Sequence, residues 1–458
     1  MSTLRTPSTR PTAFWVGLGV PLAIVLVAAW QWYRAAHWRL DVASGHDAGP
    51  YLGPLALVTL LLGMTAIAAF CLALLGMRRA ASHALLSRDA LVEAFNRGRR
   101  WLPAFMVAQT LLVFGGLIGV LLFEIGRAID QHYVSGNAMK MVMFAGLIVL
   151  ALLWYGARII WDTLRVTLRR QDAEPIQIIG QTLSPAQAPQ LWSFVQDIAR
   201  RTEARVPDTV VVGLNEGFFV TEHAVQLANG QRVPEGRVLY LPLPYMSFME
   251  RPEVSAVVAH ELGHFTGEDT RYGLQFSPIY RSLLNSILAV TNEHADDDDG
   301  WRAWITAPAS LYGKWFLHSF DEAVHHWSRE RELAADAFSS RIAGTAPAAL
   351  ALLRSAVLQE FVDEALAHNQ QAPPHLREGV LSRVRRQVAE HGLGDPRNHL
   401  DDQQSHPLDT HPTLKQRLDA LGVAITPELL VRTRDRRQSS LLAELGLEAS
   451  TPTPMETP

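Results

Sequence analysis

Two histidines one helical turn apart with a glutamate beside the first, His260-Glu261-Leu262-Gly263-His264, are the residues best placed to do chemistry. On a helix, residues four apart share a face, so both imidazoles can offer a ring nitrogen to one metal ion. Glu261 need not bind that ion. Its carboxylate can take the proton from a metal-activated water, which is how this spacing becomes a hydrolase. With 17 histidines in 458 residues the bare pattern can arise by chance, and a core helix with hydrogen-bonded histidines is the alternative. The flanks argue against it. Pro252 suits a first helical turn, Glu253 complements the positive helix end, and Gly267 is placed to stop the helix after about four turns. Val254, Val257, Val258, Leu262 and Phe265 supply an apolar face, and burying a glutamate among them is costly without a metal or a task.

A metal needs a further ligand from elsewhere in the chain. Ser319 with Glu322 predicts a capping box opening a helix that stops at Gly344, with Ser328-Arg329-Glu330-Arg331-Glu332-Leu333-Ala334-Ala335-Asp336 at its centre. Glu332 and Asp336 lie four apart, so one carboxylate can bind the metal while the other accepts a ligand histidine's N–H and fixes its tautomer. Glu330 is a weaker choice because Ala334, one turn on, offers no such partner. A solvated face of arginine–glutamate ion pairs is the alternative reading of this stretch. His325 and His326 are adjacent and face different ways, so solvated histidines are expected there. A set of His260, His264 and Glu332 leaves a fourth position open, as a catalytic zinc site requires. One zinc ion per chain is the first expectation, although these ligands alone admit other divalent ions.

The elements that must position these residues begin in a membrane. Four nearly uncharged runs, at about 13–33, 52–76, 103–125 and 141–161, are each long enough to cross a hydrocarbon core of about 30 Å. The first is longer than the apolar part of a typical signal peptide and three similar runs follow, so it reads as an uncleaved anchor. Arg5 and Arg10, Arg78, Arg79, Arg88, Arg97, Arg99 and Arg100, and Arg165, Arg169 and Arg170 all fall on one side of such a bundle. The other side carries only Arg34, Arg39, Arg127 and Lys140, which puts the amino terminus and everything after residue 162 in the cytoplasm. Cys71, the single cysteine, lies within a run and excludes a disulfide inside one chain. A net charge of −4 gives no sign of nucleic-acid binding.

After the arginine-rich exit, 175–183 reads as an extended lead-in, and Ser184-Pro185 opens a helix to about 203 with an apolar stripe of Leu191, Trp192, Phe194, Val195 and Ile198. Asp208 to Leu214, Phe218 to Gln226 and Arg237 to Leu243 read as strands, with an Asn229-Gly230 turn between the last two. An edge of this small sheet could hold an extended peptide through main-chain hydrogen bonds. From Leu274 to His318 the chain is charge-poor and aromatic, which predicts a helical hairpin, either lying on the membrane surface or packed as an ordinary soluble pair. Helices are expected over 347–368, 374–390 and 427–445, with a loop over 392–410 and a disordered tail over 447–458.

His260-Glu-Leu-Gly-His264, Glu332-Leu-Ala-Ala-Asp336, and Thr410-His411-Pro412 with Arg417 resemble the HtpX and CAAX prenyl protease family of membrane zinc metallopeptidases, of gluzincin type, over about residues 184–422. The resemblance implies zinc on His260, His264 and Glu332, Glu261 as general base and Asp336 as the partner of a ligand histidine. It also implies two roles that spacing does not reveal: His411 as a donor to the developing oxyanion, and Arg417 close to bound substrate. Read without it, His411-Pro412 is a loop before a helix start. Family members often carry Asn-Ala-Phe-Ala on the strand that meets substrate; here the stretch is Asn215-Glu216-Gly217-Phe218, with Asn215 keeping the substrate-facing position.

The expected architecture is therefore mainly α with a small β-sheet: a cytoplasmic tail over 1–12, four transmembrane helices within 13–161, and a zincin-like metallopeptidase domain over 171–446. The expected activity is zinc-dependent cleavage of membrane-associated or misfolded proteins or peptides at a bacterial inner membrane. A sensor cleaving one cytoplasmic regulator, and a scaffold or chaperone retaining a metal site, are the alternatives.

Overall fold

The computed structural model describes residues 9–38, 50–130, 136–168, 175–214, 217–264, 280, 300–371, 378–405 and 410–448. Its residues fall into two compact units, one of 1–171 with 280–323 and one of 172–279 with 324–458.

The first unit holds the membrane helices α1 (Thr9–Trp38), α2 (Leu52–Ala84), α3 (Arg88–Asp130) and α4 (Gly136–Leu168). All four contain a stretch long and apolar enough to span a bilayer. The helices overrun the expected runs, and the arginine-rich stretch between the second and third is itself mostly helical, broken only at Leu85–Ser87. Lipid offers little hydrophobic reward for helix association, so close backbone approach must supply it. Glycines provide that approach: a Cβ on Gly63 would meet Val25, one on Gly116 would meet Ile24, and one on Gly119 would clash with Thr59 Oγ1. Leu, Met and Trp side chains of α4, such as Met141, Leu150 and Trp154, stay exposed, as suits a lipid-facing helix.

The aromatic stretch behaves differently from expectation in one respect. Ser319 does not begin a helix. It lies inside α8 (Gly300–Ala343), where its hydroxyl donates to the carbonyl of Trp315. Phe316 and Phe320 of α8 pack on Phe95, with ring centroids 5.2 and 5.5 Å away, and Trp315 rests against Phe70 and Met106. These contacts outweigh the local capping preference and carry the helix through. The rest of the proposed hairpin, 281–299 and 274–279, lies outside the described residues, as does Gly267.

In the second unit a four-stranded sheet has the order β2 (Gly180–Leu183), β3 (Thr209–Gly213), β6 (Val238–Pro242), β4 (Phe219–Thr221). β2 and β4 run antiparallel to their neighbours, and β3 and β6 are parallel. β1 (Ile176–Ile178) and β5 (Val225–Leu227) form a separate parallel pair, so the expected long second strand is two short ones. Strand side chains alternate faces. Val210, Val212, Leu239 and Leu241 enter the main core, while Val211, Val238 and Tyr240 enter a smaller one on the other side. Burial on both faces explains the uninterrupted apolar runs.

The main core is closed by α5 (Pro189–Arg201), the short α6 (Leu243–Met246), α7 (Arg251–Gly263), α9 (Thr345–Gln371) and α10 (Val380–His391). α5 begins at Pro189 rather than at Ser184, because Gln187 Oε1 accepts from both the N–H and the hydroxyl of Ser184 and holds a turn there. A 3-10 turn (Pro396–His399) and an antiparallel hairpin of β7 (Gln403–Ser405) and β8 (Thr410–Thr413) occupy the expected loop. α11 (Leu414–Ala420) follows directly. The expected last helix is two, α12 (Pro427–Thr433) and α13 (Leu441–Glu444), interrupted where Asp435 accepts from the backbone and guanidinium of Arg437.

Candidate metal centre and catalytic cleft

α7 is buried almost all round rather than on one face: only Arg251, Pro252 and, in part, Val257 reach solvent. Its start is pinned. The Glu253 carboxylate accepts from the Glu250 N–H at 3.2 Å and lies 3.5 Å from the guanidinium of Arg354 on α9. Arg354 in turn donates to the carbonyls of Phe248 and Arg432. The helix ends at Gly263, with His264 still in helical conformation just beyond. Gly263 serves the site by being small: a Cβ there would come 3.2 Å from the Phe338 ring, so a larger residue would hold α7 away from α8.

That approach brings Glu332 of α8 to the two histidines. His260 Nε2 lies 3.2 Å from Glu332 Oε2, and His264 Nε2 lies 3.5 Å from Glu332 Oε1. All three side chains can place a donor atom within 4.8 Å of the others. Two bonds of about 2.0–2.1 Å at a tetrahedral angle separate neighbouring ligand atoms by about 3.3–3.4 Å, so the donor set fits an ion of zinc's bond length. Glu332 is completely buried. A carboxylate in that position needs positive charge, which the ion would provide.

Around these three the structure adds a chain of contacts. His260 Nδ1 lies 2.9 Å from Asp336 Oδ1, which commits that nitrogen and leaves Nε2 for the metal. Asp336 is gripped from its other side by Arg417 of α11, whose Nε and Nη2 donate to Oδ2 and Oδ1 at 2.7 and 2.6 Å. Burial pushes the Asp336 carboxyl up, but the charge and hydrogen bonds of Arg417, with those of His260, hold it well below the usual carboxylate range. Burial opposes the charged form of His260, yet hydrogen bonds to Asp336 and Glu332 raise it from 6.5 to about 10 in the metal-free site. Arg331, also buried, places Nη2 3.4 Å from Glu332 Oε1.

Glu261 sits on the same turn, buried, with Oε2 lacking a hydrogen-bond partner among the described residues. Burial, aided by the charge of Glu332, raises it from 4.5 to about 7 against the pull of His260, Arg417 and Arg331.

Of the residues singled out from the sequence, His260, Glu261, His264, Glu332, Asp336 and Arg417 come together. Arg417 contacts Asp336 rather than standing apart from the ligand set. His411 lies on β8, six residues before Arg417, with its side chain outside the described residues. Asn215 also lies outside them, two positions before Gly217, whose φ of +71° suits glycine. Glu330 and His325 are exposed, whereas His326, expected to be solvated like His325, is half-buried with its ring centroid 4.8 Å from that of Trp327. Spacing alone does not reveal that the Arg331 guanidinium turns toward the Glu332 carboxylate, or a recess lined by α7 and α9.

The model of peptidase family M48 matches residues 185–424, just over half of the chain and all of the site described above. The chain belongs to peptidase family M48. It is similar to Protease HtpX of Legionella pneumophila, 23% identical over 266 residues that cover 56% of this chain and 80% of that protein. An HtpX homolog of Gemmatimonas aurantiaca is 23% identical over 239 residues, covering 52% and 75%. An HtpX homolog of Limosilactobacillus reuteri is 28% identical over 184 residues, 40% of this chain and 54% of that protein, so the chain spans about half of that relative's length. M48 membership implies a metal, and the His260–His264–Glu332 cluster is where this chain can hold one. The M48 domain follows four helices able to span a membrane, which makes the chain an HtpX-like membrane protease.

Proposed function

We propose that this M48 protein is a zinc endopeptidase that cuts membrane-associated or misfolded proteins from the cytoplasmic side of a bacterial inner membrane. The observation that carries the reading is the convergence of His260, His264 and Glu332 beside the buried carboxylate of Glu261. When bound, zinc would supply Lewis acidity toward the scissile carbonyl and toward water. Glu261 removes the proton of the attacking water and returns it to the leaving amine nitrogen. Asp336 keeps His260 in one tautomer, and Arg417 keeps Asp336 ionised and in place. His411 is assigned as donor to the developing oxyanion, and Asn215 as a contact to the substrate backbone.

Among the described residues β4 is the last strand of the four-stranded sheet, and its outer edge is assigned to an extended peptide substrate. Main-chain pairing there would give affinity with little dependence on sequence. Nearness to the bilayer, set by the four spans, would select the substrates. The arginine distribution supports cytoplasmic placement of the M48 domain.

The test compares wild type with Glu261→Gln, purified in detergent at matched zinc loading, on a casein-like substrate and a membrane-protein reporter. Wild-type cleavage that falls by at least about 10²-fold in the variant, with one zinc retained per chain, is expected. Zinc-loaded wild type that cuts neither substrate counts against the endopeptidase reading.

A further inference from the structure

Within α8 the run Arg329-Glu330-Arg331-Glu332 alternates in charge, yet its halves part company: Arg329 and Glu330 are exposed, whereas Arg331 and Glu332 are buried. Neighbouring residues on a helix point about 100° apart, so the backbone alone does not aim Arg331 at Glu332. Its side chain bends toward the site instead of reaching for solvent, and Nη2 donates to Glu332 Oε1 at 3.4 Å. An arginine that stays inside a protein must be paired there. One turn on, Arg417 grips Asp336 in the same sense. The two carboxylates that α8 sends to the histidines thus each meet a guanidinium.

The pairing at Glu332 falls on one oxygen. Oε1 lies 3.4 Å from Arg331 Nη2 and 3.5 Å from His264 Nε2, whereas Oε2 lies 3.2 Å from His260 Nε2. A carboxylate can bind a metal through one oxygen or through both. A hydrogen bond into Oε1 takes up acceptor capacity that two-oxygen binding would need, and leaves Oε2 for the ion. The second consequence is electrostatic: a guanidinium and a divalent cation carry like charge and compete for the same carboxylate.

We propose that Arg331 is a positioning residue that restrains Glu332 to one-oxygen binding of zinc, and that its charge makes the ion bind less tightly than the three ligands alone would hold it. The proposal rests on the reading of His260, His264 and Glu332 as zinc ligands and adds the group that sets how one of them binds. The restraint serves the reaction, because a catalytic zinc must keep a position for water or substrate, and a second carboxylate oxygen would occupy it. In the metal-free protein the same guanidinium offsets the charge of the fully buried Glu332.

The experiment compares full-length wild type with Arg331→Met and Arg331→Lys in detergent, with Arg331→Gln taking the place of Arg331→Met if that protein does not fold. Zinc affinity is measured by competition with a chromophoric chelator, and melting temperature with and without zinc. The binding mode is read from zinc-minus-metal-free infrared difference spectra of protein carrying isotope-labelled glutamate. In such spectra the two carboxylate stretches lie far apart for one-oxygen binding and close together for two-oxygen binding. The neutral variant should bind zinc at least about tenfold more tightly than wild type, gain more in melting temperature on adding zinc, and bring the two stretches together. Arg331→Lys, which keeps the charge, should lie closer to wild type in affinity. A merely structural role would instead lower the melting temperature with and without zinc and leave the affinity unchanged or weaker. Zinc binding no tighter than wild type in the neutral variant, or unchanged carboxylate stretches, overturns the proposal and leaves the zinc reading standing. Wild type that binds no zinc removes both.

Discussion

Removing the Arg417 guanidinium separates a role at the metal from a role at the substrate. In the structure its two donors reach Asp336 at 2.6 and 2.7 Å, both partners are buried, and Asp336 lies 2.9 Å from His260 Nδ1. Arg417→Leu leaves a buried carboxylate without its counter-charge, which costs about 3–5 kcal/mol of stability. It also loosens the group that orients a ligand histidine, and losses of that kind lower metal affinity about 10–100-fold, or about 1.4–2.7 kcal/mol. Arg417→Lys keeps the charge but not the two-point grip, so its effects should be smaller in both measurements. Combining Arg417→Leu with Asp336→Asn should recover part of the stability, because neither charge is then left alone. Zinc affinity is read by competition with a chromophoric chelator, and stability by thermal unfolding in detergent with and without zinc. If Arg417→Leu binds zinc as tightly as wild type, melts at the same temperature and only raises the KM for peptides, the positioning argument is wrong. The residue then acts on the substrate, near which the family resemblance places it.

Three further outcomes follow from the same structure. The metal-free protein should lose stability between about pH 4.5 and 10: the native state holds extra protons on Glu261, raised from 4.5 to about 7, and on His260, raised from 6.5 to about 10. These contributions are complete below the unfolded values and gone once pH passes the folded ones, whereas zinc affinity should rise over the same range as His260 sheds its proton. Parallel pH trends for melting temperature and zinc affinity would refute this. Gly119→Leu in α3 should destabilise the membrane helices by about 1–3 kcal/mol, since even a Cβ there would clash with Thr59 Oγ1; unfolding in micelles measures it. Reporter fusions at Pro458 and in the loop at Leu85–Ser87 should both report the cytoplasm, and opposite locations would overturn the four-span topology.

What the sequence made legible follows from the range of the interaction involved. The four spans, the two ligand histidines with their glutamate, and the Glu332–Asp336 pair all rest on local periodicity, and the structure puts His260, His264, Glu332 and Asp336 in one cluster. Where local signals competed with tertiary packing, packing prevailed. Ser319 and Glu322 have the chemistry of a helix start, yet Phe316 and Phe320 on Phe95 keep α8 continuous through them.

The grip of Arg417 on Asp336 belongs to a third class, joining positions 81 residues apart, and no local spacing encodes it. The recess is similar in kind. Ala348, Ala351 and Ser355 look like ordinary small residues on a helix until α9 is known to lie along α7. This divides the labour of the site in a testable way. On the proposed reading the short motifs hold the ligands and the base, whereas groups brought in by α9 and α11 orient a ligand and shape the recess. Substitutions on α9 should therefore change which peptides are cut with little effect on zinc affinity. Substitutions at Arg417 should change zinc affinity with little effect on the ranking of peptides. A variant set in which the two properties always move together would show that α9 and α11 act on one property of the site rather than two.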